Sequence, residues 1–197
     1  MPRPSSDRPK AADRILSTAG ELFYRHGARA VGVDEIVERA GATKPSLYRA
    51  FGSKDQLIAA YLEGQGEHMW AGFEAALAAH PDDPKAQILA YFDGVADRAT
   101  QKGYRGCGLS NAVVECPDPK HPGHKVAVVH KEQLRARLRD LTRAMDARKP
   151  KRLADSLLLL LEGAFVTSQL FGPDGPAGTA RGAAEALIEA HTKATAA

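Results

Sequence analysis

This chain has almost no cysteine, no long apolar run and no stretch that alternates like a β-strand. Two cysteines in 197 residues are too few for a disulfide-built scaffold and suit a reducing, cytoplasmic compartment. The longest unbroken apolar run, Leu157 to Leu161, is far shorter than the roughly 20 residues a bilayer span needs. The polar, proline-rich opening from Met1 to Lys10 lacks the apolar centre of a secretory leader. No membrane partner is therefore expected. Enzyme signatures are missing as well: there is no P-loop, no G-x-G-x-x-G after a strand, no G-x-S-x-G elbow and no H-E-x-x-H pair. Neither catalysis nor a cofactor is expected. Large net charge is also absent, at +3. Its distribution is uneven, with ten Lys or Arg against seven Asp or Glu in residues 1–62 and an exact balance beyond them. That pattern is either ordinary surface scatter or the footprint of a basic head that meets phosphates.

What is present is helical periodicity nearly throughout. Ile15, Leu16, Ala19, Leu22 and Phe23 share one helix face, which Gly27 stops. Val33, Ile36, Val37 and Ala40 make a short second face that ends at Gly41. Thr43 is placed as the N-cap of a third helix, with Pro45 in its first turn and Leu47, Tyr48 and Phe51 following. Ser53 to Gln56 fits a capping box opening a fourth helix of about seven turns. Asp83-Pro84 opens a fifth helix, a glycine-rich break at 103–108 precedes a short sixth, and a proline-rich loop at 116–123 separates it from a seventh, expected over about Lys125 to Ala147. Pro150 starts an eighth helix and Ala177 a ninth. The expected fold class is all-α: a three-helix head over residues 10–53, preceded by a flexible tail at 1–9, and a helical body over 54–197.

A second helix of two turns, a tight turn at Gly41 and a third helix make helix-turn-helix spacing, in which the third helix enters the major groove. The string Asp34-Glu35-Ile36, then Ala40 to Lys44, then Leu47 to Leu57 resembles the DNA-binding head of the TetR family of transcriptional regulators. The resemblance is detailed over about residues 10–60. It implies a homodimer that binds a double-stranded DNA operator and is released by a small-molecule effector. Carried over by position, it makes Thr43, Lys44, Ser46, Tyr48 and Arg49 the recognition-helix contacts and Lys54 a phosphate contact. Two departures stand out. Val31-Gly32 replaces the Thr or Ser that usually opens the second helix, so Gly32 must cap it without a side chain. Pro45 replaces a common glycine and removes a backbone donor.

In the body, Leu157, Leu161, Ala164, Phe165 and Ser168 on the eighth helix, with Ala184, Leu187 and Ile188 on the ninth, are the expected dimer interface. Core packing is the competing reading of the same stripes. Candidate pocket residues are the aromatics Trp70, Phe73, Tyr91, Phe92, Tyr104 and Phe165, with Cys107, Asn111, His130 and Gln169 as polar members. Cys107 reads either as a small buried hydrophobe or, beside Arg105 at a helix start, as a reactive thiol. Its glycine-rich surroundings resemble those of family members that sense electrophiles or oxidants. A Cys107–Cys116 bridge is not expected, because nine helical residues span about 13 Å. Cys116, His121, His124 and His130 lack the paired spacing of a zinc site, so no metal is expected. The chemistry expected is sequence-specific DNA binding, most simply by a repressor that a largely apolar ligand releases.

Overall fold

The computed structural model describes residues 10–192 and shows nine α-helices and one short 3-10 turn among them, with no strand. The tail expected at 1–9 and residues 193–197 lie outside the described residues. The head comprises α1 (Ala11–His26), α2 (Val33–Arg39) and α3 (Lys44–Phe51). The body comprises α4 (Lys54–Ala79), α5 (Pro84–Ala99), α6 (Gly108–Glu115), α7 (Pro122–Ala144), α8 (Pro150–Phe171) and α9 (Ala180–Thr192), with the 3-10 turn over Pro176–Thr179.

Local chemistry accounts for the boundaries. Gly32 caps α2 with no side-chain bond. Gly41 adopts φ 56°, a left-handed conformation that a side chain would oppose. There Ala42 N donates to Val37 O at 2.9 Å, closing the turn. The reciprocal capping box falls at Thr43 and Ser46, whereas Ser53 caps α4 by accepting from Gln56 N at 3.1 Å. Helix α7 begins at Pro122, earlier than periodicity suggests, because His121 Nδ1 accepts from Gly123 N at 3.1 Å and Pro122 tolerates the first turn. It ends at Ala144, where left-handed Asp146 and Lys149 (φ 52° and 55°) turn the chain into α8.

Two apolar clusters hold the chain. One joins Ile15, Phe23, Ile36 and Leu47 of the head to Leu57, Ile58 and Leu62 of α4, Leu109 of α6 and Ala127 of α7. The other joins Phe73, Tyr91, Phe92, Leu134, Leu138, Leu153, Leu157 and Ile188. The packing therefore does not divide at residue 53: the first turns of α4 and part of α6 and α7 belong to the head's core. Met69 and Cys107 pack against both clusters, at the seam.

Candidate nucleic-acid interface and effector cavity

Helix α3 presents its polar face outward while Leu47, fully buried, ties it to the head. Thr43 Oγ1 accepts from Ser46 N at 3.3 Å, and Ser46 Oγ accepts from Thr43 N at 3.1 Å while donating to Thr43 O at 2.6 Å. The Ser46 hydroxyl proton is thus committed to the cap, but that of Thr43 is not. Thr43 retains a donor for a phosphate oxygen; Ser46 retains only lone pairs, which suit a base amino group. Lys44 Nζ pairs with Asp34 Oδ1 at 2.7 Å across the turn. The hydrogen bond that Lys44 donates to Asp34, with the carboxylate's charge, raises the Lys44 pKa. That pair holds the Lys44 ammonium against α2. Tyr48 is 47% exposed, so its ring stands largely clear of the head's core. Arg49 is exposed and meets no carboxylate within 4.0 Å among the described residues. Lys54, the first residue of α4, lies with Nζ 3.5 Å from Arg29 O. That contact sets exposed Arg29 next to it, a second cation that no motif in the sequence marks. Arg14 is structural: it donates to Ala40 O and Gly41 O at 3.1 and 3.2 Å and braces the turn.

At the seam between the clusters lies a cavity of about 240 Å³. Of the ten candidate pocket residues, Tyr91, Tyr104, Cys107 and Phe165 line it. The other six do not. Phe73 and Phe92 are fully buried, with Phe73 edge-on to both Trp70 and Tyr91 at 5.6 and 5.0 Å. Trp70 Nε1 donates to His130 Nδ1 at 3.1 Å, and His130 Nε2 meets Glu63 at 3.0 Å, so these residues lock α7 onto α4. Asn111 Nδ2 donates to Arg105 O at 2.8 Å and Gln169 Nε2 to Asn111 Oδ1 at 3.4 Å. This pair props the glycine-rich loop instead of facing the cavity. Tyr24, Gln65, His68, Met69, Arg98 and Gln101 line the cavity unforeseen. Arg98 had a faint signal, seven residues after buried Tyr91 on the same helix face; Tyr24 had none, since it comes from α1. Burial raises the Tyr24 and Tyr91 pKa values and pushes Tyr104 up to about 12. All three hydroxyls therefore keep their protons at neutral pH.

The two cysteines are free, Cys116 buried and Cys107 partly exposed. Burial raises the Cys116 thiol. His121 faces Asp55 at 3.4 Å and His124 Nδ1 meets Cys116 O at 2.8 Å, so these histidines organise the 116–123 loop.

The residues expected at the dimer interface face inward. Leu157, Leu161, Ala184 and Ile188 are fully buried within the chain, and Ala164, Phe165 and Ser168 nearly so. Leu187 is partly buried against the same cluster. They form the chain's own core, which corrects that assignment. The five-leucine run covers both sides of α8, so its sequence alone does not mark the outer one. The outward stripe is Leu159, Val166 and Leu170, at 73%, 52% and 69% exposure, together with exposed Gly163 and, on α9, Ala183, Ala186 and Ala190. Helix α8 is long and apolar enough to cross a bilayer by length and composition, at 22 residues and mean hydropathy 1.3, with 39% of that window buried.

A preformed three-helix head with a capped recognition helix, carried on an all-helical body, defines a helix-turn-helix transcriptional regulator. Residues 15–61 match the family model for bacterial regulatory proteins of the tetR type. A TetR-family transcriptional regulator from Streptomyces coelicolor is 32% identical, covering 93% of this chain and 96% of its own with a TM-score of 0.88. The chain belongs to the TetR family of DNA-binding transcriptional regulators, which are not enzymes. Among curated relatives, the transcriptional activator FasR of Mycolicibacterium smegmatis is 35% identical over 50% of this chain and 45% of its own length. The transcriptional repressor ComR of Escherichia coli is 34% identical over 54% and 52%. These two matches span about half of each relative.

Proposed function

We propose that the chain acts in the cytoplasm as a homodimeric repressor that leaves its operator when a small, largely apolar molecule fills the seam cavity. The observation that carries this is Tyr24, a residue of the head's own α1 that lines a cavity otherwise built by the body. Its hydroxyl donates to Gly106 O at 3.2 Å and accepts from Arg105 N at 2.8 Å. Arg105 also reaches Arg25 O, and Glu115 of α6 accepts from Ala28 N at 2.5 Å. Head and body are thus latched at the glycine-rich loop, whose Gly106 and Cys107 line the cavity. A ligand that moves this loop or Tyr24 acts on the head directly, not through α4 alone. Its differential affinity for the two head positions is what shifts the population.

Dimerisation supplies the second head. The apolar stripe of α8 and the alanine stripe of α9 fit a four-helix interface with a symmetry mate. Two recognition helices then need a spacing of about 34–36 Å to enter successive major grooves, so a small tilt of either head spoils binding. Thr43, Tyr48, Arg49, Lys54 and, after it leaves Asp34, Lys44 contact the DNA; Ser46 holds the cap and offers a lone pair to a base.

The test is selection from a random duplex pool by the purified protein at two salt concentrations. Enrichment of a near-palindrome, with affinity falling steeply as salt rises, is the expected result. Failure to enrich any sequence counts against an operator-binding resting state. A reporter behind the selected site then decides the sign: loss of expression on adding the protein supports repression, and a gain overturns it.

A further inference from the structure

We infer that the seam cavity is built for a small monoanion: a carboxylate head held by Arg98 and Tyr91, and a short apolar body lying against Phe165 and Met69. This rests on the reading of that cavity as the effector site and gives it a chemistry.

Arg98 is the first argument. It lines the cavity from α5, yet no carboxylate lies within 4.0 Å of it among the described residues. Five other arginines of the body, Arg135, Arg137, Arg139, Arg143 and Arg181, each meet an Asp or Glu at 2.7 to 3.1 Å. The Arg98 guanidinium lies over two glycines, with Nη1 3.6 Å from where a Cβ would sit on Gly72 of α4 and on Gly94 of α5. Neither offers a side chain to pair with it; the guanidinium reaches the Tyr104 hydroxyl, a neutral partner that leaves its charge unbalanced. A guanidinium drawn partly out of water and left without an anion is unfavourable unless a ligand supplies one.

Tyr91 is the second. It is 2% exposed and lines the same cavity, and its hydroxyl finds no partner among the described residues. A buried hydroxyl with an unused proton calls for an acceptor. The carboxylate whose charge reaches Tyr91, that of Glu162, is already committed to Lys131 Nζ and Ser110 Oγ, each at 2.6 Å. Among the described residues, no Asp or Glu lines the cavity. One carboxylate satisfies both groups, one oxygen accepting from Tyr91 and the other from the planar guanidinium. The volume of about 240 Å³ falls below the common range for drug-sized ligands, which limits the apolar body to a ring or a short chain.

The test is calorimetry on the full chain with benzoate, cinnamate and 3-phenylpropionate, each against its primary amide. The expected result is an acid that binds at least about tenfold more tightly than its amide. Arg98→Gln should erase that preference while leaving amide binding and the melting temperature in place, and Arg98→Lys should retain part of it. Tyr91→Phe should weaken the acid severalfold. Amides that bind as well as acids, a preference that survives in Arg98→Gln, or no acid binding tighter than about 1 mM would each overturn the proposal. Operator titrations separate this from the effector reading. Arg98-dependent acid binding that leaves operator affinity unchanged keeps the ligand class and removes the effector role. Operator release by a neutral compound alone, with acids inert, does the reverse.

Discussion

The head and the body of this protein carry their sites in opposite ways. The residues of the head proposed to contact DNA lie within twelve positions of one another, Thr43 to Lys54, around a helix whose cap and turn are encoded locally. The cavity of the body is assembled from α1, α4, α5, α6, α8 and the 100–107 segment, and its chemistry depends on groups that meet only in three dimensions. An exposed contact surface needs a rigid support and free side chains. A buried site needs convergence, and here it leaves Tyr91 Oη without a partner among the described residues.

The sharpest test of this contrast is at the outer face of α8. Leu159→Glu with Leu170→Glu should give a monomer by analytical ultracentrifugation and abolish operator binding, with helix content kept; a dimer that persists would place the interface elsewhere. Gly66→Ala should come next. A Cβ there would lie 2.2 Å from the His130 ring, which Trp70 and Glu63 hold in place. We expect the body to lose about 1–3 kcal/mol in denaturant unfolding with α3 untouched, and unchanged stability would mean that His130 yields freely. In the head, Arg49→Ala should weaken operator binding by about 1–3 kcal/mol. Lys54→Ala should lower affinity across all sequences and reduce the salt slope by about 1. Equal salt slopes for Lys54→Ala and wild type would remove the phosphate assignment.

Smaller effects probe the latch and the body's surface. Tyr24→Phe removes the hydroxyl that joins α1 to the glycine-rich loop and should cost about 0.5–1.5 kcal/mol of stability. More tellingly, it should blunt ligand release of the operator while sparing ligand-free DNA affinity. The smallest effect concerns Asp155, whose pKa is held down to about 2 chiefly by the hydrogen bond from Arg135, with Arg139 adding to it. A carboxyl depressed on folding contributes stability that is present above its unfolded value, near 3.9, and lost as pH falls toward 2. Asp155→Asn should flatten acid unfolding in that window only, and because the group is exposed the change should be slight.

Much of the head was legible because its determinants are short-range. A glycine at φ 56°, a hydroxyl cap, a proline in a first turn and one apolar face act within a few residues of themselves, and Gly41, Thr43 and Leu47 sit where those rules put them. The same rules misplaced less local features. Thr43 and Ser46 read as two equal contacts, yet one hydroxyl proton is spent on the cap. Lys44 carries no local sign of a partner in the sequence, yet Asp34 on the neighbouring helix holds it.

By itself the sequence determined the helices, the caps at Thr43, Ser53 and Asp83, the helix-turn-helix head and the family, because periodicity and turn chemistry are local properties of a chain. Tertiary structure alone decided which side of α8 faces the core, since Leu157 to Leu161 is equally apolar around the helix. It also decided which aromatics pack and which line a cavity, because Phe73 and Tyr91 carry the same helical pattern and differ only in what they meet across the fold. Finally, it brought Tyr24 of the head beside Arg98 of the body, a meeting that long-range packing of two clusters creates and that no local interval in the sequence encodes.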